Sequence, residues 1–234
     1  MLAFDTTQGA CSAAVARGGI LLSQQFEIMA RGQAERLIPM IEAVRQQAGV
    51  EHGEINLIAV TVGPGTFTGV RVGLAAARAL ALVHEQPVLG IGTLELLARS
   101  AMTDGNQDGD HGGNDARNDD CVIAAIDARR GELYVQAFGA DGSALAEAAA
   151  ITAAAYRPPP NASPGRIVGT GAAILQAMLP DWRVDDRVIQ PDAAILARAA
   201  EGWRQRAGPT PPAPFYLRAP DAKLPAQATD VPSR

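Results

Sequence analysis

One pattern occurs twice in this chain, and it constrains the fold more than any other feature. Ala3-Phe4-Asp5 followed by Gly9 returns, 122 residues on, as Ala125-Ile126-Asp127 followed by Gly131. Val62-Gly63-Pro64-Gly65 returns, 106 residues on, as Val168-Gly169-Thr170-Gly171. An Asp-ending strand, a hairpin and then a strand running into G-x-G ahead of a helix, all present twice, predicts two copies of one supersecondary unit.

Hydrophobic periodicity fills in the first copy. Strands are expected at Leu2–Asp5, Ser12–Arg17, Ile20–Phe26, Leu57–Val62 and Val88–Gly90, and helices at Ala34–Ala48, Thr68–His84 and Thr93–Ala101. The order is βββαβαβα. Gly18-Gly19 between two alternating runs signals a tight hairpin, since both positions accept positive φ. Gly49 suits a left-handed cap, whereas Pro39 lacks an amide donor and predicts a later start or a kink in its helix. The expected fold class is α/β, with two ribonuclease-H-like lobes facing across a cleft, the actin-like ATPase (ASKHA) architecture shared with sugar kinases. We place the first lobe at 1–103, a flexible acidic linker at 104–120, the second lobe at 121–207 and a proline-rich, partly docked tail at 208–234.

The linker assignment rests on composition. "DGNQDGDHGGNDARNDD" has six aspartates and nothing apolar larger than Ala116, so it cannot bury enough surface to offset its ordering entropy. His111 among these acids fits no calcium-loop spacing. A net charge of −5 argues against a standing footprint for nucleic acid or an anionic membrane, so RNA contact is expected through a partner. "MLAFDTTQ" has no basic n-region before an apolar core, and Arg71 and Arg78 interrupt the most apolar segment, so neither a signal peptide nor a membrane span is expected. Cys11 and Cys121, far apart and without metal-type spacing, are expected as buried free thiols.

Two groups of residues could carry chemistry or binding. "VGPGTFTG" has two glycines, hydroxyls at Thr66 and Thr68, and Thr68 as the expected N-cap, so free helix amides could receive an anion. It lacks Walker spacing, and the chain's single lysine is Lys223. Asp5 and Asp127, ending equivalent strands, either point into the cleft as metal-water ligands beside a phosphate or cap their own loops. With Gly63, Gly65, Gly169 and Gly171 they form a candidate nucleotide-proximal set. His52, His84 and His111 show no paired spacing, so no catalytic or metal residue is assigned. Gly73, Ala77 and Ala81 recur at i, i+4, i+8, leaving a stripe that another backbone can approach closely. That stripe packs either on the chain's own sheet or on a partner. On the partner reading, a bulky charge at Ala77 breaks pairing and leaves the fold.

"LAFDTTQGACSAAVA", "QAERLIPMI" at Gln33–Ile41, "VTVGPGTFTGVRVGLAAARALA" at Val60–Ala81, "IDARRGELYVQAF" at Ile126–Phe138, "VGTGA" at Val168–Ala172 and "PFYLR" at Pro214–Arg218 together resemble the TsaB family, formerly YeaZ. The resemblance implies a cytoplasmic, non-catalytic subunit in tRNA modification. It would support and regulate TsaD as that protein transfers threonylcarbamoyl from its adenylate to the adenosine following the tRNA anticodon. It also implies TsaE as a further partner, homodimers where TsaD is absent, tRNA reached through the complex, no membrane, and no cofactor of its own, any nucleotide lying at the junction with TsaD. The interface helices carry over to Glu35–Ala48 and Val70–Val83, with Leu37, Met40, Ile41, Val44, Gly73, Leu74, Ala77 and Arg78 as contacts. Gln33 stands where the family pattern has histidine. The competing function is a stand-alone actin-like ATPase or kinase.

Overall fold

The computed structural model describes residues 1–103, 120–208 and 212–218. The first lobe is built from strands β1 (Leu2–Asp5), β2 (Ala10–Arg17), β3 (Ile20–Ile28), β4 (Ile58–Gly63) and β5 (Val88–Gly92), with helices α1 (Gln33–Gln47), α2 (Phe67–His84) and α3 (Thr93–Thr103). The second contains β6 (Val122–Asp127), β7 (Glu132–Phe138), β8 (Ala149–Thr152), β9 (Arg166–Val168), α4 (Ala172–Gln176), β10 (Arg183–Val184) and α5 (Ala193–Ala199).

The two sheets run β3-β2-β1-β4-β5 and β8-β7-β6-β9-β10, the same order strand for strand. In each, the Asp-ending strand lies antiparallel to its hairpin partner and parallel to the strand that enters the G-x-G turn. The duplicated motifs thus mark duplicated topology. β1 is buried along its whole length and β2 at seven of its eight positions, because helices cover both faces of the first sheet. Their many alanines let those helices approach closely.

Leu37, Met40, Ile41 and Val44 of α1, spaced i, i+3, i+4, i+7, point into the core with Cys11, Ala13 and Val15 of β2. Pro39 does not delay this helix, which runs from Gln33 through the proline to Gln47. Burial of the four-residue stripe offsets the one missing amide bond. α2 is capped by Thr66 rather than Thr68: the Thr66 hydroxyl accepts from the Gly69 amide at 3.2 Å. By length and composition α2 could cross a bilayer, contrary to the expectation from its two arginines. In the fold it lies on the first sheet, with Gly69, Val70, Gly73, Leu74 and Ala77 buried.

The lobe boundaries at 103 and 121 do not divide the core. Leu94, Leu97, Ala98 and Ala101 of α3 pack with Val122, Ala124, Ile126, Phe138 and Val168 of the second sheet. Conversely, Ala193, Ala194, Leu196 and Ala197 of α5 pack with Met1, Ala3, Ala14 and Ala16 of the first. Each lobe contributes a helix to the other's core. The tail docks through Pro212–Arg218: the Phe215 amide donates to Val62 O at 2.8 Å, and Arg218 reaches Ala128 O and the Glu132 carboxylate in the second lobe. Residues 104–119, with His111, and residues 219–234, with Lys223, lie outside the described residues.

Candidate functional site

Two surfaces could carry function: the cleft between the lobes and the outer face of α1 and α2. The cleft, about 540 Å³, is lined by Gln8, Gly9, Arg31, Gln33, Thr66, Thr68, Asp127, Arg129, Thr170 and Gln190, among others.

The two aspartates of the repeat have diverged. Asp5 is fully buried, with its carboxylate accepting from the Thr7 amide at 3.2 Å, the Thr7 hydroxyl at 2.7 Å and the Thr61 hydroxyl. Burial pushes its pKa up to about 6, against the downward pull of these hydrogen bonds. It holds β1, the following loop and β4 together, and it does not line the cleft. Asp127 is exposed and does line it. One of its carboxylate oxygens accepts from the Arg129 amide at 2.8 Å, and its own amide donates to Thr170 Oγ1 at 3.0 Å. Arg129 and Arg130 sit at φ 62° and 57° before Gly131, a left-handed run costly for side-chain-bearing residues, and the turn sets Arg129 at the cleft wall.

The four candidate glycines do not face the cleft either. A Cβ on Gly63, whose φ is 107°, would lie 2.6 Å from Phe215 O, and one on Gly65 would overlap Thr7 O. Gly169 and Gly171 press on Ala125 O and on Leu133 in the equivalent place. These turns let backbone meet backbone, and the residues that line the cleft flank them. Gln33 donates through Nε2 to Gln8 O at 3.3 Å and Met29 O at 3.2 Å, tying α1 to the first loop. Among the described residues no group of three or more His, Cys, Asp or Glu side chains could hold a metal. Both cysteines are free and buried, and burial pushes the Cys11 thiol up to about 11.

The helical face corrects the interface residues read from the sequence. Leu37, Met40, Ile41, Val44, Gly73, Leu74 and Ala77 are all buried within the chain's own core, so a partner cannot touch these side chains in this fold. The Gly73/Ala77 stripe packs on the chain itself, where a Cβ on Gly73 would meet Thr6 Oγ1 at 3.0 Å and Val60 Cγ2 at 3.3 Å. Of the eight, only Arg78 is exposed. The exposed positions of the same helices are Ala34, Glu35, Ile38, Pro39, Gln46 and Gln47 on α1, and Phe67, Thr68, Arg71, Ala75, Arg78, Ala79, Leu82 and Val83 on α2. Leu82 is 83% exposed and Val83 72%, large values for aliphatic side chains on adjacent positions. The sequence carried a signal for this orientation: Arg71 and Arg78, seven residues apart, both lie on the side of α2 that the structure leaves exposed.

Two lobes of identical strand order, each turning through G-x-G into a helix beside a shared cleft, define a protein of the actin-like ATPase architecture. Residues 19–163 match the family model described as TsaD: tRNA N6-adenosine threonylcarbamoyltransferase. The chain is 38% identical over 134 residues to the tRNA threonylcarbamoyladenosine biosynthesis protein TsaB of Escherichia coli (strain K12), covering 57% of this chain and 52% of that one. It thus spans about half the length of that curated relative. An uncharacterized protein of Mycobacterium tuberculosis (strain ATCC 25618 / H37Rv) is 31% identical over 225 residues, 95% of this chain and 93% of its own. The solved structure of YeaZ from Pseudomonas aeruginosa superimposes with a TM-score of 0.72 at 29% identity, covering 87% of this chain and 92% of that one. The chain belongs to the TsaB (YeaZ) family.

Proposed function

We propose that this chain is a cytoplasmic, non-catalytic subunit in tRNA threonylcarbamoyladenosine biosynthesis, which pairs through the outer face of α1 and α2 with a TsaD-type threonylcarbamoyltransferase. The observation that carries this reading is that Ile38 and Pro39 of α1 and Ala75, Ala79, Leu82 and Val83 of α2 are all exposed, on a family member whose relatives are named for this pathway. TsaE joins the pair, two copies pair with each other when TsaD is absent, and tRNA is met through the complex. The chain supports and regulates the transfer; any nucleotide sits at the junction with TsaD, and the chain holds no cofactor of its own. Burial of Asp5 behind Thr7 and Thr61 supports the non-catalytic part, because it removes one of the two carboxylates a cleft chemistry would use.

The test is depletion in the source organism together with pull-down of the native complex. Loss of threonylcarbamoyladenosine from tRNA, and recovery of a TsaD-type subunit with the chain, are expected. Normal modification after depletion overturns the reading.

The cleft favours one other reading, a stand-alone ATPase or kinase, because it brings Asp127 and Arg129 together with the α2 N-terminus at Thr66 and Thr68. Calorimetric titration with ATP and magnesium separates the two. Tight binding with turnover by this chain alone would favour the enzyme.

A further inference from the structure

The N-terminal half of α2 differs from the smooth alanine surface that follows it. Tyr216, from the docked tail, stacks on Phe67 with ring centroids 5.6 Å apart at 28°. The Arg71 guanidinium lies over the Phe67 ring, 3.6 Å from its centroid, and its Nε donates to Tyr216 Oη at 3.3 Å. Phe67 and Arg71 are exposed and Tyr216 is half-buried, so an aromatic pair and an arginine are held together at the surface. These are the side-chain types that dominate binding energy at protein interfaces, and here their ordering has already been met within the free chain.

Two turns further along, Arg78 donates to Pro212 O at 3.0 Å. Among the described residues neither Arg71 nor Arg78 has an acidic partner, although the chain as a whole carries a net charge of −5. Seven residues of helix set the two guanidinium stems about 10 Å apart on one side. Between and beside them lie Ala75 and Ala79, continuous with the outward apolar face.

We propose that Phe67, Arg71 and Tyr216 form the anchor of the partner-binding face, engaging a partner helix that presents carboxylates about two turns apart to Arg71 and Arg78. This rests on the pairing proposed above and makes the tail segment Pro212–Arg218 part of the docking surface. Because Arg218 of the same segment holds Glu132 in the second lobe, a partner seated on this anchor touches an element fastened to both lobes.

The test uses the full-length chain and the purified TsaD-type threonylcarbamoyltransferase of the same organism, with affinity read by calorimetry. Arg71→Glu is expected to weaken binding about thirtyfold, and Arg78→Glu and Tyr216→Ala about tenfold each. Tyr216→Phe, which keeps the stack and loses the hydroxyl, should cost about threefold or less. Arg157→Glu, on the second lobe, makes the same charge change and should leave affinity unaltered. Raising salt should weaken the wild type more than the Arg71→Glu/Arg78→Glu double variant. Should Tyr216→Ala loosen the tail, the two exposed arginine variants still decide. If both arginine variants bind within about twofold of wild type while Ala79→Glu abolishes binding, the partner uses the helical face without this anchor and the inference fails. If the arginine variants disturb only pairing between two copies of this chain, it fails as well. A wild-type chain that does not bind the transferase overturns the pairing itself.

Discussion

At the scale of single residues, Asp5 shows how a motif position can keep its identity and change its work. Its counterpart Asp127 faces the cleft, whereas Asp5 is closed off by Thr7 and Thr61. The sequence left cleft ligand and loop cap both open, and the deciding fact, a threonine on the neighbouring strand 56 residues away, has no local signature. Burial leaves a measurable trace. The folded pKa of about 6 lies above the 3.8 of an unperturbed aspartate, so the folded state binds the proton more tightly than the unfolded one. That contribution to stability is fully present below the unfolded value and is lost as pH rises through about 6. The gap between these two values corresponds to roughly 3 kcal/mol. In urea denaturation, the stability of wild type minus that of Asp5→Asn should therefore fall by an amount of that order between pH 4 and pH 7 and stay level above. A difference that is flat or rises with pH over this range would mean that Asp5 is ionised comfortably in the fold.

At the scale of elements, α2 carries the largest revision. Its existence and limits were legible from the G-x-G turn and the long apolar run, because both are local. Which side faces inward was not, since a stripe of small residues suits close approach to the chain's own sheet and to a partner's backbone equally well. The chain resolves this with Gly69, Gly73 and Ala77 inward, where Thr6 and Val60 of β4 come too close to the two glycines for a side chain, and with Leu82 and Val83 outward. The consequence for mutagenesis is opposite to that of a partner-facing stripe. Ala77→Glu puts an unpaired charge at a position with no exposure, and should lower stability by several kcal/mol, enough to unfold much of the population. Ala79→Glu, two residues on and exposed, should leave the unfolding temperature within about 2 °C of wild type, as surface changes do, and abolish pairing with the transferase. Circular dichroism melts and a pull-down on the two variants check both statements. A stable Ala77→Glu chain that merely fails to pair would restore the stripe as the interface.

At the scale of the whole molecule, the duplicated motifs announced two lobes, and the identical strand order bears them out. What they could not announce is that α5 crosses to the first sheet, and that α3 packs between the two, with Leu96 on the first and Leu94, Leu97 and Ala101 on the second. Both are short apolar helices whose patterns show an inward face without saying which sheet lies beneath it. The exchange has a thermodynamic consequence. A fragment of residues 1–120 keeps β1 to β5 but loses α5, uncovering Ala3, Ala14, Ala16 and Leu89, and it leaves Leu94, Leu97 and Ala101 of α3 without the second sheet. It also loses the Gln190 side chain that accepts from the Gly9 amide at 3.0 Å, and the tail that ties Val62 to Glu132. Lobes that were independent domains would fold alone, because domain interfaces are normally smaller and more polar than cores. Here the apolar contacts between the lobes are core contacts. The 1–120 fragment should accordingly show no cooperative thermal transition and should bind a hydrophobic dye, while the full chain melts in one step. Adding residues 121–218 as a separate chain should restore a single transition if the exchanged helices supply the missing surface. A fragment that melts cooperatively by itself would show that α3 and α5 only lean on their hosts, and that the lobes are free to move as separate bodies around the cleft.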